Sequence, residues 1–323
     1  MKAPSTAWTE RIAADEADRH AAYARTLVEI QRAKSSKYGP GRTLHRKQLA
    51  GARGTLEILD GLPEHARQGL FARPGVHPAT VRMSNGAPDR QSDKVPDIRG
   101  FAVSVGGVSG PSALGGTTER QDFLLINQTY FLSADSREFM ALVPAAARSP
   151  LALVGHLFGT YGPLGGFRRL REAFRGLGKP FDGYATERFD TVLPHACGAW
   201  AMRVRLTPEG AQAARPKGMS FTDDVRDRLA RGPLAWTMEL RFFVDEATTP
   251  IEDASRDWPE AETPVVPVGR LVLPPQDVAS SADATEAHAF DPWAGLAAHR
   301  PLGEVMRARK VAYRASQQGR GIA

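Results

Sequence analysis

Few residues in this sequence stand out for chemistry when they are considered one at a time. Arg309 and Tyr313 form the clearest pair, because a spacing of four on a helix puts both side chains on one face. A nearby guanidinium favours the charged form of a phenol, whose ordinary pKa is about 10. His45 by itself is typical of a strand end, and Asn127 of a turn or cap. The chemistry therefore depends on what these residues do together.

Several common kinds of site are missing from the sequence. No two histidines have the His-x-x-x-His spacing of a zinc or non-haem iron site, and Cys197 is the only cysteine, which excludes an intrachain disulfide or a thiolate cluster. There is no Gly-x-Ser-x-Gly turn, Walker loop or Gly-x-Gly-x-x-Gly fingerprint. The commonest hydrolases, kinases and dinucleotide-binding enzymes are thereby disfavoured.

An ordered series of polar motifs runs through the chain. Its members are Arg42–His45, Gly51–Gly54, Glu57, Val81–Ser84, Asp97–Val103, Asp122, Asn127–Thr129, Phe139 and Arg309–Tyr313. The series resembles the haem catalase family, which has Arg-x-x-His, Val-Arg-Phe-Ser, Asp-x-Arg-Gly-Phe-Ala, Asn-Asn-Thr and Arg-x-x-x-Tyr in the same order. The resemblance is strong over about residues 40 to 140 and looser over 182 to 314. Any one tetrapeptide is a weak signal, but five in order are a strong one.

The resemblance assigns a role to each of eight residues around haem b. On the distal side, His45 and Asn127 would be catalytic, and Ser84 would hydrogen-bond the imidazole. On the proximal side, Tyr313 would bind the iron as a phenolate held by Arg309. The remaining three would contact the porphyrin: Arg42 and Arg82 through its propionates, and Phe139 by stacking.

Three departures from the family pattern bear on the expected pocket. Leu44 and Met83 stand where the family has Val and Phe, and one extra residue lies between His45 and the glycine-rich segment. Ten residues follow Tyr313, so we expect the long segments that follow it in large catalases to be absent and the haem to be more accessible.

The function implied by the resemblance is a haem peroxidase or catalase-like oxidoreductase. It would reduce hydrogen peroxide or an organic hydroperoxide through a ferryl intermediate, with an unknown reductant as its other partner. The small catalase-related peroxidases are the favoured type. A fatty-acid hydroperoxide isomerase or dehydratase of the allene oxide synthase type is the first alternative, although Leu44 replaces the threonine expected there. A non-catalytic haem-binding protein is the second, and the intact His45 and Asn127 disfavour it.

The elements that would position these residues suggest an α+β chain. A helical pattern over 8–34 stops at Gly39, which predicts an N-terminal helical arm (residues 1–38) ahead of a catalase-like haem-binding barrel domain (39–323). Within the latter we predict helices over 135–177, 222–232 and 299–318, and a flexible loop over 106–120. Six strand-length apolar segments predict an antiparallel sheet or barrel: TLEIL, ATVRMS, GFAVSV, DFLLIN, AWAMRVRLTP and LAWTMELRFFVD, with VGRLVLP following them.

Composition sets the remaining limits. The 323 residues carry a net charge of +6, but Lys and Arg alternate with Asp and Glu, so nucleic-acid binding is not expected. No apolar segment is long enough to span a membrane, and no signal peptide is recognised. We therefore expect a cytoplasmic protein, and leave open whether it is a homo-oligomer.

Overall fold

A computed structural model of the chain describes residues 2–177 and 180–322. The described residues contain nine β-strands, which are β1 (Gln48–Ile58), β2 (Gly75–Asn85), β3 (Arg99–Pro111), β4 (Thr117–Ile126), β5 (Phe189–Asp190), β6 (His195–Cys197), β7 (Trp200–Pro208), β8 (Leu234–Phe242) and β9 (Val265–Leu273). They also contain six α-helices, which are α1 (Glu16–Tyr38), α2 (Ser136–Arg148), α3 (Pro150–Leu177), α4 (Phe221–Arg231), α5 (Ala282–Ala287) and α6 (Glu304–Gln318).

Eight of the strands close into an antiparallel barrel. Their order is β1-β2-β3-β4-β5-β7-β8-β9, and β9 pairs back onto β1. The two residues of β5 complete the ring, because Asp190 pairs with Ile126 of β4 and with Arg205 of β7. Strand β6 only adds a hairpin to β7. The predicted α+β class and antiparallel barrel are confirmed.

The barrel interior is apolar, and the opposite face of β2–β4 carries the polar residues. Val81 and Met83 belong to the main hydrophobic core. Because side chains alternate across a strand, Arg82 and Ser84 lie on the outer face. Ser84 pairs with Gly100 of β3, which pairs in turn with Ile126 of β4. This row of outer-face positions forms the platform for the candidate site.

Helix α6 is held by α1, and Ile126 of the platform row packs against the small cluster that contains Val305 and Met306 of α6. The segment before α6 is fixed on β4, where Asp122 Oδ2 accepts from the Asp291 backbone N–H at 3.0 Å and the Asp122 N–H donates to the carbonyl of Ala294 at 2.9 Å. Asp122 therefore positions the chain that leads to Tyr313.

Several predicted boundaries were wrong. The N-terminal helix begins at residue 16, not 8, because backbone N–H groups before it bind other partners, such as the Arg11 N–H to Glu252 Oε1 at 2.7 Å. The supposed loop over 106–120 is mostly strand, with the turn confined to 112–116. Helix α4 begins at Phe221, one residue earlier than predicted, and is capped by Ser220, whose hydroxyl accepts from the Asp223 N–H. The predicted helix over 135–177 is divided into α2 and α3, and α3 is broken at Gly162, whose φ is 67°.

Candidate functional site

One part of the candidate site is built around His45, which precedes β1. Its backbone adopts a φ of 51°, an unusual conformation for a non-glycine residue. The His45 N–H donates to the Gly86 carbonyl at 2.9 Å, and Nδ1 is hydrogen-bonded to Ser84 Oγ at 3.1 Å. When Nδ1 carries the hydrogen and donates to Ser84, Nε2 is the free proton acceptor. His45 is thus fixed by its main chain and by one ring nitrogen.

Gly100 makes room for this imidazole. A Cβ on Gly100 would lie 2.6 Å from His45 Nδ1 and 2.8 Å from Ser84 Oγ. Both distances are far shorter than an ordinary van der Waals contact. Only a glycine at this register position lets the histidine lie on the outer face of β2 and β3.

The charges around His45 keep it neutral. Burial, followed by the cations of Arg82, Arg309 and Arg42, lowers the pKa of His45 to about 3. At neutral pH the imidazole is therefore uncharged and able to accept a proton. Arg309 belongs to α6, so this helix acts electrostatically on His45.

Asn127 lies just after β4 and is 3% exposed. Its Oδ1 accepts from the Arg99 backbone N–H at 2.7 Å, and its own N–H donates to the Arg99 carbonyl at 3.0 Å. The oxygen is therefore committed, and the amide NH2 makes no hydrogen bond to the described residues. Arg99 itself binds backbone carbonyls at Asp93 and Val95, which makes it a structural member of its motif.

Arg42 and Arg82 converge on one carboxylate that the sequence analysis missed. Glu286 of α5 accepts from Arg42 Nη1 through Oε1 at 2.5 Å and from Arg82 Nε through Oε2 at 3.0 Å. Arg82 Nη2 donates to the His45 carbonyl at 2.9 Å, which ties the arginine pair to His45. Burial and the neighbouring Arg82 lower the pKa of Arg42 to about 9, and burial lowers that of Arg82.

Arg309 and Tyr313 are in contact, as their spacing predicts. Arg309 Nη2 donates to Tyr313 Oη at 3.0 Å on α6. A negative charge on Tyr313 would raise the pKa of both Arg42 and Arg82, so the phenol lies within electrostatic range of the arginine pair. The structure thus brings the tyrosine, both arginine groups and His45 into one region.

Phe139 is placed apart from these residues. It lies on α2 with its ring tilted against Phe131 at 5.0 Å between centroids. Phe131 packs in turn against the small cluster that contains Val305 and Met306 of α6. Among the described residues, the recorded contacts of Phe139 do not reach the other seven candidates.

Two residues that contact the candidate site carried no role in the sequence analysis, and a third, His195, lies within electrostatic range of Arg309. Gly100 was visible inside the Asp-x-Arg-Gly motif, but its contact with His45 depends on strand register. Glu286 and His195 lie outside every motif. His195 is fully buried, neither ring nitrogen makes a well-formed hydrogen bond, and burial followed by Arg309 lowers its pKa to about 3. No sequence signal marks Glu286 or His195, because the residues with which they interact lie far away in the sequence.

Among residues 2–177 and 180–322, no group of three or more His, Cys, Asp or Glu side chains could hold a metal ion. Within the same residues, no helix is long and apolar enough to cross a membrane.

The sequence is similar to known catalases, although no family model matches it. It is 26% identical to a catalase of Sus scrofa over 289 residues, which are 78% of this chain and 51% of the relative. It is 24% identical to catalase isozyme 2 of Nicotiana plumbaginifolia over 267 residues, 72% of this chain and 51% of the relative. The chain thus spans about half the length of the curated relatives it matches.

Solved structures show the same fold. A fungal catalase matches with a TM-score of 0.69 and 19% identity over 88% of this chain and 59% of that one. Catalase A from Saccharomyces cerevisiae matches with a TM-score of 0.66 and 17% identity over 87% of this chain and 61% of that one. A bacterial catalase matches with a TM-score of 0.64 and 16% identity over 99% of this chain and 63% of that one. The sequence is thus similar to catalases, and the chain shares the catalase fold.

Proposed function

We propose that the protein binds haem b and reduces hydrogen peroxide or an organic hydroperoxide. The observation that carries the proposal is a neutral histidine, fixed at Nδ1 by Ser84 and free at Nε2, in the same region as an arginine-bound tyrosine. A proton acceptor and an anionic oxygen ligand are the two protein groups that this chemistry requires on opposite sides of a haem.

The residues present fit the cofactor. Arg42 and Arg82 are two buried cations with a single carboxylate between them, so the cluster has an excess of positive charge that suits a dianionic porphyrin. Tyr313 would bind the iron, and Arg309 would hold the phenolate form by hydrogen bonding. When bound, haem would supply the iron that exchanges electrons with the peroxide.

The protein's own contribution to the reaction is proton movement and orientation. His45 Nε2 would take the proton from one peroxide oxygen and return it to the other as the O–O bond breaks, releasing water or an alcohol. The hydrogen bond to Oδ1 fixes the orientation of the Asn127 amide, and its NH2 group would orient the peroxide and stabilise developing negative charge. A second peroxide or an organic donor would supply the reducing electrons.

The test begins with haem reconstitution, followed by steady-state oxidation of a dye donor by peroxide. The His45→Ala variant should bind haem with an unchanged Soret band yet lose about 10²- to 10⁴-fold in turnover, because general acid–base catalysis typically contributes that much. His77→Ala, on β2 at a half-exposed position, is the matched control. Wild-type turnover in the His45 variant would refute the proposed mechanism.

The same experiment separates the alternatives. Consumption of a fatty-acid hydroperoxide with no donor present would favour the isomerase or dehydratase. Haem binding without peroxide consumption above the free-haem rate would favour a carrier.

A further inference from the structure

We propose that Glu286 is an internal counter-anion: it holds the Arg42–Arg82 pair in the haem-free protein, and the cofactor's carboxylates displace it. Glu286 would then set haem affinity although it is not itself a haem ligand. This inference rests on the proposed haem-binding function.

The contacts divide into a fixed part and a replaceable part. The side chains of Arg42 and Arg82 are 12% and 4% exposed, whereas that of Glu286 is 32% exposed. Both carboxylate oxygens of Glu286 are used, one for each arginine. A single half-buried anion thus pairs with two buried cations, and the anion is the partner with access to solvent.

The arginines keep other anchors if the carboxylate leaves. Arg42 Nη2 donates to the His288 carbonyl at 2.7 Å, and Arg82 Nη2 donates to the His45 carbonyl at 2.9 Å. Arg320 Nη2 donates to the backbone carbonyl of Glu286 at 2.9 Å, which holds the end of α5 in place. The side chain of Glu286 can therefore rotate while its backbone and both guanidinium groups stay where they are.

The structure also offers the displaced carboxylate a destination. Glu286 lines a cavity of about 300 Å³ together with Arg46, Lys47, Gln48 and Arg90. Lys47 is already paired with Asp93, at 2.6 Å. Arg90 makes no hydrogen bond or ion pair with the residues that the structure describes. After rotation, the Glu286 carboxylate would pair with the more accessible Arg90 instead of with the two buried arginines.

The charge balance predicts two opposite effects of neutralising Glu286. In haem-free protein, Glu286→Gln would leave two buried arginines beside each other without a counter-ion, which is destabilising. In haem-bound protein the propionates would supply the negative charge, so the substitution would lower the stability less. The variant should therefore be less stable without haem and bind haem more tightly. A residue that only supports the fold would lower both stability and affinity.

The experiment compares wild type, Glu286→Gln and Glu209→Gln. Glu209 is a suitable control because its side chain is 29% exposed and pairs with Arg270, whose side chain is itself 47% exposed. Haem dissociation constants would come from Soret titration, and the stability of haem-free protein from urea unfolding. We expect Glu286→Gln to bind haem about tenfold more tightly, with a lower unfolding midpoint, and Glu209→Gln to match wild type.

A second arm uses haem dimethyl ester, which lacks the two negative charges. The affinity of the protein for this ester should not increase in the Glu286→Gln variant. Equal or weaker haem binding by Glu286→Gln, or an equal gain with the ester, would overturn the inference while leaving the proposed function intact. Failure of wild-type protein to bind haem saturably would overturn both.

Discussion

At the scale of single residues, the conformation of His45 depends closely on the residues around it. The left-handed backbone of His45 is a strained conformation that persists only when its surroundings hold it. The hydrogen bond to Ser84, the bond from Arg82 to the His45 carbonyl, and the bare backbone of Gly100 provide that support. The orientation of the imidazole is therefore set by three strand residues rather than by the loop that carries it.

Gly100→Ala tests this arrangement. The added methyl group would meet the imidazole and the Ser84 hydroxyl, so we expect activity to fall at least about tenfold through misplacement of the base. The free energy of unfolding should fall by about 1–3 kcal/mol through overpacking. Steady-state kinetics and urea unfolding measure the two effects.

Gly106→Ala on the same strand is the matched control for Gly100→Ala. Its Cβ would meet nothing closer than Pro78 Cγ at 3.4 Å, an ordinary contact. Equal behaviour of the two variants would contradict a specific role for the space beside His45.

At the scale of elements, the N-terminal segment holds the helix that carries Tyr313. Glu304, at the start of α6, accepts from Arg19 at 2.9 Å and is hydrogen-bonded to His20 Nε2 at 2.8 Å. Its Oε2 also accepts from the Ser136 N–H of α2. Arg307, one turn later, pairs with Glu10, Glu16 and Glu252. These buried and half-buried ion pairs fix α6 against α1 and thereby fix Tyr313.

Glu304→Ala should show how much this clamp contributes. Removing the carboxylate leaves Arg19 and His20 without their shared acceptor in a site that is 9% exposed or less at all three side chains. We expect the free energy of unfolding to fall by about 3 kcal/mol or more. Chemical denaturation measures it, with the exposed Glu57→Gln on β1 as the control, for which a change within about 0.5 kcal/mol is expected. A similar loss in both variants would argue against the clamp.

At the scale of the whole molecule, buried histidines make the fold sensitive to acid. Five of the eight histidines have a lowered pKa, and burial is the main cause in each of them. The pKa is lowered to about 3 in His45 and His195 and to about 4 in His288 and His299. The fifth is His65. As the pH falls, these histidines take up protons near pH 6.5 in the unfolded chain. In the folded chain they take up protons only near their lowered pKa values. Their contribution to stability is therefore complete above about pH 6.5 and is lost as the pH falls.

His195→Leu isolates one of these protons. The slope of unfolding free energy against pH should fall by about 1.4 kcal/mol per pH unit between about pH 6 and pH 4, because one site of differential protonation is removed. Urea unfolding at a series of pH values measures the slope. Phe123→Leu, at the ring that contacts His195 at 5.9 Å, removes packing but no titrating group and should keep the wild-type slope. An unchanged slope in His195→Leu would refute the assignment.

The sequence by itself determined the fold class and the order of the polar motifs. Alternating apolar segments define strands β1 to β4, because burial of one face selects a period of two. The spacing of Arg309 and Tyr313 determines their contact, because both lie on one short stretch of helix. Local periodicity suffices for both conclusions, since neither needs a partner from elsewhere in the chain.

Only the tertiary structure decided which distant residues meet. Glu286 lies over 200 residues from Arg82 in sequence, and Gly100 contacts His45 only because of the register between β2 and β3. Barrel closure through the two residues of β5 is equally invisible, because so short a strand has no periodicity of its own. Register and closure arise from packing the whole barrel at once, so they cannot be derived from any one segment.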